Sequence, residues 1–242
     1  MSDVLVLCYH AVSPDWPAPL SVTPDRLERQ LALLQRRGYV GTTFAQAIES
    51  PPGKRTVAIT FDDAYRSVLR LAAPLLDELG WPASVYVPTD YAGTEAPMSW
   101  PGIDEWVGGP HERELTPMSW DELGELAERG WEIGSHTRSH PHLTQLDDEA
   151  LGAELGESRA VCEQRLGRPC TSVAYPYGDV DERVVAATAG AGYSHGAALP
   201  AGLHAVRPLE WPRVGVYYGD AGWRFRLKVS PLVRRLRTAK GR

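Results

Sequence analysis

Cysteine, methionine and phenylalanine each occur only three times in the 242 residues. Cys8, Cys162 and Cys170 are odd in number and have no metal-type spacing, so they read as buried free thiols, which suits a reducing cytoplasm. No apolar run approaches membrane-spanning length. Met1-Ser2-Asp3 leads straight into a strand-like run with no basic and apolar leader, so no export signal is visible. Internal repeats and an obvious linker are also missing. Acidic residues are absent from 224–242, where eight of the 25 Lys and Arg residues fall. The remaining chain carries 17 basic against 31 acidic residues, a balance of −14. A body of that sign argues against nucleic acid as the main partner. The composition otherwise, 43% hydrophobic and 23% charged, is that of a folded protein rather than a disordered one.

What is present is an alternation of strand-like and helix-like segments. Val57-Ala58-Ile59-Thr60-Phe61 is too short for a helix and rich in strand formers, and it stops at the paired carboxylates Asp62 and Asp63. Further strands are expected at 4–10, 39–43, 83–87, 131–134, 171–174, around 195–198 and at 214–216. Helices are expected at 24–37, 65–79, 119–129, 147–166 and 181–191, several of them closed by glycine. Residues 88–117 form a long connection, a length that is usually functional or mobile. Such alternation implies parallel strands with crossover helices. About seven strands suit a single-domain (β/α) barrel, closed or nearly so, over residues 1–220, with a basic amphipathic tail at 221–242. The polar residues collect at strand C-terminal ends, where α/β barrels place their sites.

Neighbouring strand residues point to opposite faces, so Asp62 and Asp63 are expected to do different work. Two carboxylates this close resist joint ionisation unless a cation neutralises one of them. His136 and His140 are four residues apart. On a helical turn, that spacing puts both imidazoles on one face, near enough for one ion. Asp63 or Asp62 would then supply the anionic third ligand. His142 is expected to stand aside, since Pro141 breaks the helical phase.

Together these residues resemble the polysaccharide deacetylase family, the NodB-type carbohydrate esterases. Thr60-Phe61-Asp62-Asp63 matches the family's first motif, and His136-Thr137-Arg138-Ser139-His140 matches its second, His-Ser/Thr-x-x-His. The third, groove-lining motif survives as Tyr175-Pro176-Tyr177-Gly178. The Tyr9-His10 strand end and the Trp211-Pro212-Arg213-Val214 segment resemble a bacterial subgroup that includes deacetylases of poly-N-acetylglucosamine. The resemblance spans roughly residues 4–216 and implies a seven-stranded, distorted NodB-type barrel. It further implies one divalent metal ion on Asp63, His136 and His140, zinc first, with cobalt, nickel or iron(II) as alternatives. Asp62 becomes the catalytic base, and Tyr9, His10, Tyr175, Pro176, Tyr177, Gly178 and Arg213 the substrate-binding residues. The metal and a backbone N–H, at Tyr177, would serve the oxyanion.

This sequence departs from the family in two places. The arginine that often opens the third motif and pairs with the base is absent, Ala174 lying nearby instead, and Arg213 is the candidate replacement. The later histidine that serves many members as general acid has no clean counterpart, His204 being the first candidate and His195 the second. Tyr9, Trp100, Trp106, Tyr175 and Tyr177 are candidate walls for a sugar ring. The expected substrate is an N-acetylated sugar polymer or a lipid-linked glycan. The tail interleaves basic residues with Phe225, Leu227, Val229, Leu232, Val233 and Leu236. It would either contact an anionic membrane surface peripherally or pack on the acidic body. Two other outcomes fit the same scaffold: hydrolysis of another amide, as in the allantoinase and cyclic-imidase branch, or carbohydrate binding by a degenerate site.

Overall fold

A computed structural model describes residues 3–199, 206–231 and 233. Among the described residues there are eleven short strands: β1 (Asp3–Tyr9), β2 (Ala11–Val12), β3 (Ser21–Val22), β4 (Val40–Thr42), β5 (Arg55–Phe61), β6 (Ser84–Val87), β7 (Glu132–Ser135), β8 (Ser172–Ala174), β9 (His195–Ala198), β10 (Trp211–Pro212) and β11 (Val214–Gly215). The α-helices are α1 (Pro24–Arg36), α2 (Phe44–Glu49), α3 (Ala73–Asp77), α4 (Trp120–Glu128), α5 (Asp148–Leu166), α6 (Glu182–Gly190) and α7 (Trp223–Lys228). All strand pairings are parallel, and the main sheet runs β10-β9-β8-β7-β6-β5-β1-β11, with β4 on the flank of β5; β2 and β3 form a separate pair.

The path holds eight strands rather than the expected seven because its last stave is broken in two. Trp211–Pro212 pairs with β9 and Val214–Gly215 with β1, and only Arg213 lies between them. The Arg213 N–H donates to the Ala198 carbonyl (3.0 Å), and the Val216 N–H donates to that of Cys8 (2.8 Å). This single segment therefore crosses from one edge of the sheet to the other and brings the barrel nearly to closure, leaving little free strand edge.

Alternation along the strands sorts the core. Leu5, Leu7, Tyr9, Val57, Ile59, Phe61, Val85 and Val87 pack outward against the helices. The opposite set, Val6, Ala58, Tyr86, Ala174 and Ala197, clusters inside the barrel with Phe44 and Ala47 of α2. Small interior residues make room for the Tyr86 ring. A Cβ at Gly134 would lie 2.6 Å from it. Further along the same inward phase come Cys8, Thr60 and Asp62. The helix expected over 65–79 is interrupted: Val68–Ala72 forms a π-type turn before α3. Pro74 explains this, having no N–H to return to the preceding turn. The helix ends are satisfied locally, by Thr23 and Pro24 at α1, a Ser119/Glu122 capping box at α4 and Asp147 at α5. Of the expected tail, Trp223–Lys228 is helical, with Phe225 and Val229 buried against the body.

Candidate active site and metal centre

The site forms where β1, β5, β7 and β8 end and the β10–β11 segment crosses. Asp62 continues the ladder of β5, its N–H donating to the Tyr9 carbonyl (3.0 Å). Its side chain follows the inward phase, and Arg213 meets it with both arms: Nη1 to Oδ1 at 2.6 Å and Nη2 to Oδ2 at 2.8 Å. The same Nη1 donates to Thr60 Oγ1 (3.0 Å), and the Cys8 thiol donates to Asp62 Oδ2 (3.3 Å). The guanidinium lies 5.5 Å from the centre of the Tyr86 ring, so the Tyr86 that fills the barrel also supports it. Burial alone would raise the Asp62 pKa, but the Arg213 charge outweighs it and holds the carboxyl well below the usual range. The arginine absent from the third motif is thus replaced, in space, from the closing segment.

The chain reverses immediately after Asp62. Asp63 has φ 69° and Ala64 φ 52°, left-handed values that carry the Asp63 side chain off the strand's alternation. Its Oδ1 is buried without a hydrogen-bond partner and lies 3.3 Å from His136 Nε2 and 3.4 Å from His140 Nε2. One ligand atom from each of Asp63, His136 and His140 falls within a 4.8 Å cluster. Burial works to raise the Asp63 pKa, and the facing imidazoles bring it below its ordinary value instead. For His136 the order reverses: burial works to lower its pKa, but Asp62 and Asp63 carry it upward.

His136 and His140 are not on a helix, which corrects the expectation from their spacing. They lie in a tight loop after β7, in which Thr137 (φ 65°) and His140 (φ 64°) are left-handed. The loop is held from below by α5. The Glu154 carboxylate accepts from the Arg138 N–H (2.8 Å), the Ser139 N–H (2.9 Å) and the Ser139 hydroxyl (2.6 Å). His136 Nδ1 is 2.8 Å from the Ala174 carbonyl, so Nδ1 carries a proton and Nε2 is the nitrogen turned toward Asp63. Burial pushes the His140 pKa down to about 3, which leaves that imidazole neutral. Trp100 stacks on its ring at 4.2 Å. The Nε2 atoms of two imidazoles and an ionised carboxylate with an orphaned oxygen form a donor set that suits a divalent cation. These residues fit the metal.

A cavity of about 310 Å³ opens over this cluster. Of the sequence-predicted residues, His10, Asp62, Asp63, His136, His140, Tyr175, Tyr177, Gly178 and Arg213 line it, as does Trp100. Tyr177 is 40% exposed at the rim, takes φ 59° itself and donates its hydroxyl to the Pro101 carbonyl (3.3 Å). His142 is drawn to the rim as well, stacking on Tyr177 at 4.0 Å.

Other expectations are corrected. Tyr9 is a core residue, its hydroxyl donating to Gln30 (2.9 Å) and its ring lying against Phe61. Trp106 packs edge-on to Trp16 rather than into the cavity. Pro176 is buried in the turn beneath Tyr177. His195 begins β9, at the opposite end of the barrel, against Phe44. His204 lies outside the described residues. Sequence reasoning missed Glu154, whose only signal was an acid inside a helix, and the walls formed by Leu20, Ile103, Leu199 and Tyr217.

Residues 49–196 match the sequence model of the family described as polysaccharide deacetylase. YxkH of Bacillus subtilis, named for that family, is 26% identical over 196 residues, covering 79% of this chain and 62% of its own. A poly-beta-1,6-N-acetyl-D-glucosamine N-deacetylase of Escherichia coli is 33% identical over 134 residues, covering 49% of this chain and 18% of its own. The chain therefore spans less than two thirds of either relative. The Streptococcus pyogenes deacetylase PplD, solved with acetate, superposes with a TM-score of 0.75 at 21% identity, over 94% of this chain and 98% of its own, which establishes the shared fold.

Proposed function

The chain belongs to the polysaccharide deacetylase family, and from that premise we propose that it is a metal-dependent hydrolase removing acetyl groups, N-acetyl first, from a glycan or glycan precursor. The observation that carries this is the partnerless Oδ1 of Asp63 facing two imidazole nitrogens, with the Asp62–Arg213 pair alongside. The name of the E. coli relative supports an N-acetylated glucosamine polymer as substrate, and a lipid-linked glycan offers the same acetamide. The three buried free cysteines suit a cytoplasmic setting. Among the described residues no helix is long and apolar enough to cross a membrane.

An acetamide needs an activated water, an electrophile at its carbonyl and a proton for its leaving amine. Asp63, His136 and His140 would hold zinc or another divalent cation, which would supply Lewis acidity at the carbonyl and lower the pKa of water to about 7. Asp62, kept ionised by Arg213, stands ready to take a proton from water entering the cavity and to return it to the leaving nitrogen. Arg213 fixes the carboxylate's orientation through its two bonds. The backbone N–H of Tyr177, whose φ is left-handed, would serve the developing oxyanion. His10 lines the same cavity and would contact the sugar. Tyr175 and Trp100 give the ring apolar walls.

Elemental analysis of the purified protein, with acetate release from N-acetylglucosamine oligomers before and after chelation, tests this. Bound metal with chelator-sensitive acetate release is expected. Metal with no release from any acetylated sugar would point to another amide, and no metal at all would point to a carbohydrate-binding role.

A further inference from the structure

A second cavity, of about 180 Å³, lies between α1 and α7. Arg26, Arg29, Arg36 and Arg226 line it, and Leu33 and Phe225 supply its apolar wall. Four like charges around so small a space repel one another. Among the described residues no carboxylate comes within 4.0 Å of any of these guanidinium groups. Elsewhere on this acidic body Arg66, Arg138, Arg183 and Arg207 all reach an acid. Arg26 is held in place by the Tyr218 carbonyl and by that residue's ring, 4.7 Å away.

Alongside, α7 turns apolar residues to solvent. Trp223 is 69% and Leu227 46% exposed, four residues apart and so on one face. Tryptophan favours the level of lipid headgroups, and a short helix that mixes basic and exposed apolar residues suits a membrane interface.

We propose that this surface docks on an anionic phospholipid bilayer, with a headgroup phosphate seated among Arg26, Arg29, Arg36 and Arg226 and with Trp223 and Leu227 sunk into the interface. The surface adjoins the catalytic mouth. Arg26 bonds the Tyr218 carbonyl, the Tyr218 N–H donates to Pro19 (2.9 Å), and Pro19 lines the catalytic cavity. Docking therefore holds the mouth at the bilayer, where a lipid-linked glycan presents its sugar. That last consequence rests on the deacetylase reading, whereas the docking itself does not.

Sedimentation of the full chain with vesicles tests the proposal. Binding is expected to phosphatidylglycerol-containing vesicles, weakening as salt rises, and not to phosphatidylcholine alone. The double variant Arg29→Gln/Arg36→Gln is expected to partition roughly 30-fold more weakly, about fivefold for each basic residue removed. Trp223→Ala should weaken binding too. Neither variant touches the catalytic cavity, so acetate release from a soluble acetylated oligosaccharide should persist in both, which separates a failure of docking from a failure of the enzymatic reading. Equal partitioning of wild type and double variant would overturn the proposal. So would equal binding to both kinds of vesicle, or binding lost only when residues 234–242 are removed.

Discussion

At the end of the barrel where the strands begin, the Glu132 carboxylate accepts from the Ser172 hydroxyl (2.5 Å), the Ser84 hydroxyl (2.9 Å) and the Ala45 N–H at the start of α2 (2.9 Å). At the end where they finish, Asp63 keeps an oxygen with no partner, and Asp62 depends on one arginine. The backbone divides the same way. Asp63, Ala64, Thr137, His140 and Tyr177 are the non-glycine residues of positive φ among those described, and all five lie in loops leaving β5, β7 and β8. Each such residue costs roughly 1–3 kcal/mol. The Glu132 carboxylate at one end is engaged by the fold on both oxygens, whereas the Asp63 oxygen at the other end is left open toward the cavity side, where the proposed cation would find its bonds.

This contrast can be broken most severely at Asp62. Asp62→Asn should lower turnover by about 10²–10⁴-fold while the metal content stays unchanged, because the base is lost and the cation's ligands are not. Unchanged acetate release would remove Asp62 from its role. His136→Ala comes next. Divalent cation at a thousand times its dissociation constant should stabilise the wild type by about 4 kcal/mol, or roughly 10 °C in melting temperature. The variant should show no such shift and no bound metal by elemental analysis. Glu154→Gln touches neither cation nor substrate, yet it loosens the loop that presents both histidines. Cation affinity, followed by competition with a chromophoric chelator, should fall about tenfold. Glu132→Gln is the control from the satisfied end. It should cost roughly 1–3 kcal/mol in denaturant unfolding and leave kcat/KM unchanged. A loss of activity without a loss of stability there would erase the distinction between the ends.

Much of this was legible in the sequence. Strand composition and the abrupt stop at Asp62-Asp63 located the site, and the order of parallel elements gave the barrel. The four-residue histidine spacing picked out two imidazoles that do come together, but in a loop and not on the expected helix. Helical neighbours and a tight loop can both bring residues i and i+4 together, and only the backbone, through Thr137 and His140, distinguishes them. Aromatic residues were the least legible. Trp100 and Trp106 share one connection, but one stacks on His140 and the other on Trp16, a choice made by distant packing partners. The eighth strand was hidden because two-residue pairings on either side of Arg213 leave no periodic signal.

The broken last stave also bears on how the protein comes off the ribosome. Asp62 and its arginine are 151 residues apart in the chain, and the segment carrying Arg213 is among the last parts of the barrel to be synthesised. Until it emerges, β1 lacks one neighbour, the carboxylate has no counter-charge, and the cavity lacks a wall. The chain therefore completes the Asp62–Arg213 pair in the same step that joins its first strand to its last, and a nascent chain short of residue 213 carries Asp63, His136 and His140 without that pair.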